Sequence, residues 1–130
     1  MNASSTDIAL ILAAESSLEL VLATNLFIGK EPVRPINTVT IFDTTSLPPK
    51  IGFDNQVYEQ PSVQIRVRNA NYQTGWNLID AIKNILHGKG NETWGATFYT
   101  VIYCASGPAF LGWDENSRAW FICNFNMQRR

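Results

Sequence analysis

The segment Ser62 to Arg68 constrains this chain most. Val63, Ile65 and Val67 alternate strictly with Gln64, Arg66 and Arg68. A period of two puts the apolar residues on one face of a strand and the polar residues on the other. The apolar face has to be covered, and the covering layer follows at once. After Asn69-Ala70-Asn71, Tyr72, Trp76, Ile79, Ile82 and Leu86 recur at helical spacing, flanked by Leu78 and Ile85. This predicts a helix over about residues 71–87 whose stripe, with Trp76 and Ile79 at its centre, packs on Val63, Ile65 and Val67. Gly88 suits the helix end, and Lys89-Gly90-Asn91 continue the turn. His87 sits in the last turn, where a positive ring suits the helix dipole.

The remaining elements follow from the same rules. Ser4-Ser5-Thr6-Asp7 is a run of N-cap residues. Ile8, Ile11, Leu12, Leu18, Val21 and Leu22 behind it predict a helix over about residues 5–20. Leu26-Phe27-Ile28, closed by Gly29, reads as a strand, prolines 32 and 35 as a turn, and Val39, Ile41 and Phe42 as a second strand. Residues 46–60 contain Pro48-Pro49, Gly52, Asp54 and Asn55 without any period. They read as a long irregular loop and a candidate contact segment, with Phe53 and Tyr58 as anchors. Phe98 to Cys104 is a strand covered on both faces, ended by Gly107-Pro108. Ala109–Trp113 and Arg118–Gln128 flank a turn at Asp114-Glu115-Asn116-Ser117. The order is helix, two strands, loop, strand, helix, three strands. It predicts an α+β fold in one domain spanning residues 1–130, a largely antiparallel sheet with two helices packed on one face.

Composition excludes several functions. The formal net charge is -1, and the ten Lys and Arg residues are scattered apart from Arg66/Arg68 and Arg129-Arg130. A chain that holds DNA mainly by neutralising phosphates is usually basic. Charged residues make up 16% of the chain, below the usual ~25%, while four Trp, four Tyr and seven Phe are present. That balance fits a surface partly destined for other protein. Ile8–Ala14 is apolar but bracketed by Asp7 and Glu15, which matches neither a signal peptide nor a membrane span. A soluble protein acting where it is made is expected.

No catalytic or metal site emerges. His87 is the only histidine, and Cys104 and Cys123 are the only cysteines. Both cysteines lie in apolar strands and read as buried free thiols; a disulfide between neighbouring strands is the alternative. A thiol enzyme using Cys104 or Cys123 with His87 lacks a recognisable orienting group. One His and two Cys are too few for a metal unless carboxylates join. Gly88-Lys89-Gly90-Asn91 follows a helix instead of opening one, so it is not a phosphate loop. No cofactor is expected. Gln64, Arg66 and Arg68 lie on the polar face of their strand, and a solvated face accounts for them. In a ring the same face would meet a neighbouring subunit or line the bore.

Several stretches, in order, resemble the small minor-capsid or tail-terminator proteins of long-tailed (siphovirus-like) bacteriophages. They are the first helix running into Thr24-Asn25-Leu26-Phe27-Ile28-Gly29; Phe42-Asp43-Thr44 followed by Pro48-Pro49; and Glu59 to Arg68 with Tyr72, the Ile79–His87 helix and Gly88. The last is Pro108 to Asn116, followed by the strand ending Asn124-Phe125-Asn126-Met127-Gln128-Arg129. The resemblance implies a structural protein of the virion, assembled in the host cytoplasm and sited at the head–tail junction. It would form a ring, typically hexameric, on the last ring of tail-tube subunits, stop tube growth and present a surface to the head-completion proteins. Its partners would be its own copies, the tail tube protein, a head-completion or neck protein and, through non-specific contact in the bore, genomic DNA; no membrane is involved. The family has no catalytic residues to carry over. A head-closure or connector subunit is the nearest alternative.

Overall fold

A computed structural model describes residues 1–130. The alternating segment lies within β3 (Val57–Asn69), the third strand of a six-stranded sheet. The other elements are α1 (Ser4–Ala14), a 3-10 turn (Ser16–Leu18), β1 (Leu26–Ile28), β2 (Thr38–Ile51), α2 (Tyr72–Leu86), β4 (Glu92–Trp94), β5 (Thr97–Trp113) and β6 (Ala119–Arg129). The strand order is β1-β2-β3-β6-β5-β4. The β1–β2 pair is parallel and the others are antiparallel, so the sheet is mixed, not purely antiparallel. A parallel neighbour needs a crossover, and β1 is so short that residues 29–37 suffice to return the chain.

The core follows from the alternation. Val63, Ile65 and Val67 pair with Phe125, Cys123 and Phe121 of β6, and Ile65 and Val67 also pair with Ile41 and Val39 of β2. These residues form one buried cluster with Ile8 and Leu12 of α1 and Ile79, Ile82 and Leu86 of α2. Trp76 is only partly buried, contrary to the expected stripe. Its neighbour Gly75 makes the close approach, because a Cβ there would stand 2.7 Å from Phe121 Cε2. Trp76 meets the same ring edge-on, with centroids 6.0 Å apart.

Four expectations need correction. The first helix ends at Ala14, where Glu15 turns extended. Ser16 and Ser17 are poor helix residues, because their hydroxyls compete for backbone groups, and Leu20 reaches the core from outside any helix. The expected Ser cap is also replaced: Asp43 of β2 accepts bonds from the Ser4 hydroxyl and from the Ser5 N–H and hydroxyl, so α1 is capped across the fold. The irregular loop over 46–60 is a β-hairpin, since β2 runs on to Ile51 and β3 starts at Val57. Register shifts between Thr44 and Lys50 absorb Pro48 and Pro49, which lie where no further strand pairs with β2. Gly107-Pro108 does not end a strand either. It bulges out of β5 between the pairs Ser106–Asn124 and Ala109–Ile122, with Gly107 at φ +96°.

One short strand escapes the sequence pattern. β4 pairs with the start of β5 through Gly95-Ala96, both at positive φ, the geometry of a tight hairpin turn. Both sides of the sheet leave long edges. β1 covers only Val39–Ile41 of β2, and β4 with the 88–91 turn covers β5 only as far as Ile102. A buried polar knot joins the two ends of the chain. Asp7 accepts bonds from Asn2 and from the Tyr99 hydroxyl, and Arg129 bonds Tyr99, Glu59 and the Asn2 carbonyl. Burial drives the Tyr99 phenol far above its ordinary value, and the hydrogen bond it donates to the Asp7 carboxylate adds to the effect.

Candidate functional site: a clamped loop, a polar sheet face and a protruding hairpin

The five residues singled out from sequence fall into three places. Phe53 and Tyr58 belong to the β2–β3 hairpin, Gln64 and Arg66 to the outer sheet face, and Arg68 to the far end of β3.

Arg68 is not part of a solvated face. Its side chain is 3% exposed and pairs with Glu31 at 3.0 Å. It also donates to the carbonyls of Ile36, Pro32, Val33 and Pro35. Burial lowers the guanidinium pKa from its ordinary value, and the Glu31 carboxylate only partly offsets this. Arg118 adds a second clamp, donating to the Val33 carbonyl at 2.7 Å while paired with Asp114. Trp120 Nε1 donates to Glu31 as well. The loop of residues 31–36 is thus folded over this end of the sheet by two arginines and an indole. Strand alternation gave the correct face for Arg68, but it carries no signal that a loop lies on that face.

Arg66 remains half-exposed on the same face. Its guanidinium lies 5.5 Å from the Phe42 ring centroid and 5.6 Å from that of Trp120. Its Nε is buried without a hydrogen-bond partner, and no carboxylate pairs with it. Around it lies a carpet of amides and hydroxyls. Gln64 bonds Asn124, which bonds Ser106, and Ser62 bonds Asn126. Arg66 is thus a cation beside two rings with no internal counter-charge.

The hairpin shows the opposite character. Leu47, Ile51, Phe53 and Val57 are all exposed, Phe53 completely. The turn itself is well tied. Gly52 N–H donates to the Gln56 carbonyl at 2.8 Å, and Gln56 N–H donates to Asp54 Oδ1 at 3.0 Å. Tyr58 braces it, half-buried, with its hydroxyl 3.4 Å from Gln56 Oε1 and the Arg130 guanidinium 5.8 Å from its ring. Gly52 leaves room for this, since a Cβ there would stand 2.9 Å from Tyr58 Cε2.

Two features were missed in the sequence. One is a cleft of about 530 Å³ at the clamped-loop end, lined by Val33, Arg34, Pro35, Ile36, Ala70, Asn116 and Arg118. Prolines 32 and 35 signalled a turn there, but nothing signalled what the turn would face. The other is an aromatic cluster of Tyr72, Phe110, Trp113 and Phe121, in which Tyr72, Phe110 and Trp113 remain exposed.

The thiol pair has a structural environment. Cys104 and Cys123 are free, with sulfurs 3.5 Å apart. Burial pushes the Cys123 thiol up to about 12, with the Cys104 thiol adding to the shift, which leaves almost no thiolate near neutrality. His87 stands at the C-terminal cap of α2, and its Nδ1 accepts the Cys104 N–H at 2.9 Å. No group of three His, Cys, Asp or Glu residues is placed to hold a metal, and no helix is long and apolar enough to cross a membrane.

Comparison with known proteins gives a consistent picture. The family model described as "Bacteriophage tail terminator protein" matches residues 7–130. No curated protein matches the chain. Among solved structures, a chain from the virion of a native gene transfer agent particle has a similar fold. Its TM-score is 0.69 at 12% identity, covering 98% of this chain and 94% of that one. The family is structural, not enzymatic, and works in the phage virion tail. With the match running from the first helix to the last strand, the chain belongs to the bacteriophage tail terminator family.

Proposed function

We propose that copies of this chain close into a ring, hexameric as the resemblance implies, that sits on the last ring of tail-tube subunits. The ring stops tube growth and offers its free side to the head-completion proteins at the head–tail junction. The observation that carries this reading is the β2–β3 hairpin. Four large apolar side chains, Leu47, Ile51, Phe53 and Val57, stand more than half exposed along it, with Phe53 wholly exposed at the tied turn. Exposed apolar surface of this kind marks a protein contact.

The outer sheet face is assigned to the bore. Its amides and hydroxyls are neutral, and Arg66 is the one unpaired cation among them. Such a face attracts DNA weakly, through salt-screened charge, and lets it slide. The test is electron microscopy of particles made with and without the protein. Tails that overgrow in its absence, and a ring at the tail's head-proximal end in its presence, support the terminator reading. Tails of normal length that fail to join heads would move the protein to head closure.

A further inference from the structure

The hairpin tip and the clamped-loop cleft are complementary. The tip offers Phe53, wholly exposed, beside Asp54, which has no ion pair and keeps Oδ2 free of any bond. The cleft offers the exposed side chains of Val33 and Ile36, 73% and 56% accessible, together with Ala70. Arg34 borders it, exposed and without an ion pair or hydrogen bond, whereas Arg118 is occupied by Asp114 and the Val33 carbonyl. Both surfaces are held in place before any contact forms. Arg68 and Arg118 fix the loop carbonyls, and the Gly52–Gln56 bonds fix the turn. Such preorganisation removes much of the ordering cost of binding.

The two surfaces cannot meet within one chain. The tip precedes β3, and the cleft lies past its end, about 40 Å away at ~3.3 Å per residue. We propose that the occupant of the cleft is the hairpin tip of a second copy, with Phe53 seated against Val33, Ile36 and Ala70 and Asp54 paired with Arg34. A contact between two different patches at opposite ends of a subunit is heterologous, so repetition closes a ring or runs on as a fibre. This inference rests on the ring reading and deepens it. It also orients the subunit: β3 runs around the circumference.

Charge reversal tests the proposal. Arg34→Asp and Asp54→Arg each place like charges across every contact, so neither variant alone should form rings. Mixed in equal amounts, each tip meets an opposite charge only on the other variant. Rings should then return with strictly alternating composition, read as equal numbers of the two masses by native mass spectrometry. Phe53→Ser should raise the concentration needed for half-assembly by about tenfold or more. Circular dichroism and melting temperature establish that each monomer is folded. Rings from either charge variant alone, or no rescue on mixing, would overturn the contact while leaving the ring reading intact, and so would variants whose only defect is binding to purified tail tubes. If the unaltered protein forms no ring, alone or on tail tubes, the ring reading fails and the contact fails with it.

Discussion

Replacing Arg68 by Met should be among the most damaging single changes on the outer sheet face. Met keeps the aliphatic reach but removes the guanidinium. Five bonds go with it: to Glu31 at 3.0 Å, and to the carbonyls of Ile36, Pro32, Val33 and Pro35 at 3.2, 2.7, 3.3 and 2.8 Å. Each charge-assisted bond is worth ~1.5–3 kcal/mol in isolation, but they share one group and do not add. The loop of residues 31–36 can also swing into water and recover hydration for its carbonyls. The governing comparison is therefore the breaking of one buried ion pair, ~3–5 kcal/mol. At roughly 4 °C per kcal/mol for a chain of this size, the melting temperature should fall by about 12–20 °C. Urea denaturation gives the free energy, and hydrogen exchange of a peptide covering residues 29–38 locates the loss. Glu31→Gln in the same background should recover part of it, because the carboxylate no longer stands without its cation. A loss below ~1 kcal/mol with that peptide still protected would refute the clamp.

Three further outcomes are expected. Gly75→Ala should destabilise by ~1–3 kcal/mol despite the gain of up to ~1 kcal/mol in helix propensity, because Phe121 is hemmed in by Tyr72, Trp76 and Phe110 and cannot retreat; a raised melting temperature would show that the ring does give way. Tyr99→Phe should cost ~1–3 kcal/mol by urea denaturation, since it strips a buried partner from both Asp7 and Arg129, and a neutral result would mean water takes the hydroxyl's place. Burial pushes the Asp114 carboxyl up, but bonds from the Arg118 N–H and guanidinium and the Asn116 N–H outweigh it and hold the pKa below the ordinary value. Its contribution is therefore present above the ordinary carboxylate range and lost as pH falls through the lowered value, so the protection of the 114–118 amides relative to an unfolded chain at the same pH should fall in acid, and Asp114→Asn should abolish that fall.

The parts of the fold that were legible share one property: neighbours in sequence also solve the burial problem. β3 and α2 show this, since each displays its buried face as a period, and α2 starts beside Asn71, whose side chain accepts the Thr74 N–H. The parts that were not legible depend on distant residues. The hairpin over 46–60 looks irregular because Pro48 and Pro49 break the pattern, yet Gln60 ties back to the Pro48 carbonyl across the ladder. β5 looks like two strands because its bulge is absorbed by β6. The predicted helix runs past the end of α1 because Leu18, Val21 and Leu22 continue the apolar run after the backbone has left the helix. The candidate residues divide the same way. Phe53 stands out in the sequence as an aromatic in a stretch without a period, and its side chain is exposed, whereas the cleft has no such signal, because Val33, Ala70 and Asn116 meet only once β3 and β6 are paired.

The open edges of the sheet bear on how subunits wait before they are used. Residues beyond Ile41 on β2 and beyond Ile102 on β5 lack a neighbouring strand, which in most proteins invites stacking with any passing chain. Here Pro48 and Pro49 interrupt the first edge, and the Gly107-Pro108 bulge interrupts the second. A strand arriving at either side finds missing donors and a broken register, so backbone zippering stalls after a few residues. Recognition is left to side chains at defined points. Broken edges of this kind let newly made subunits accumulate without clotting through their backbones.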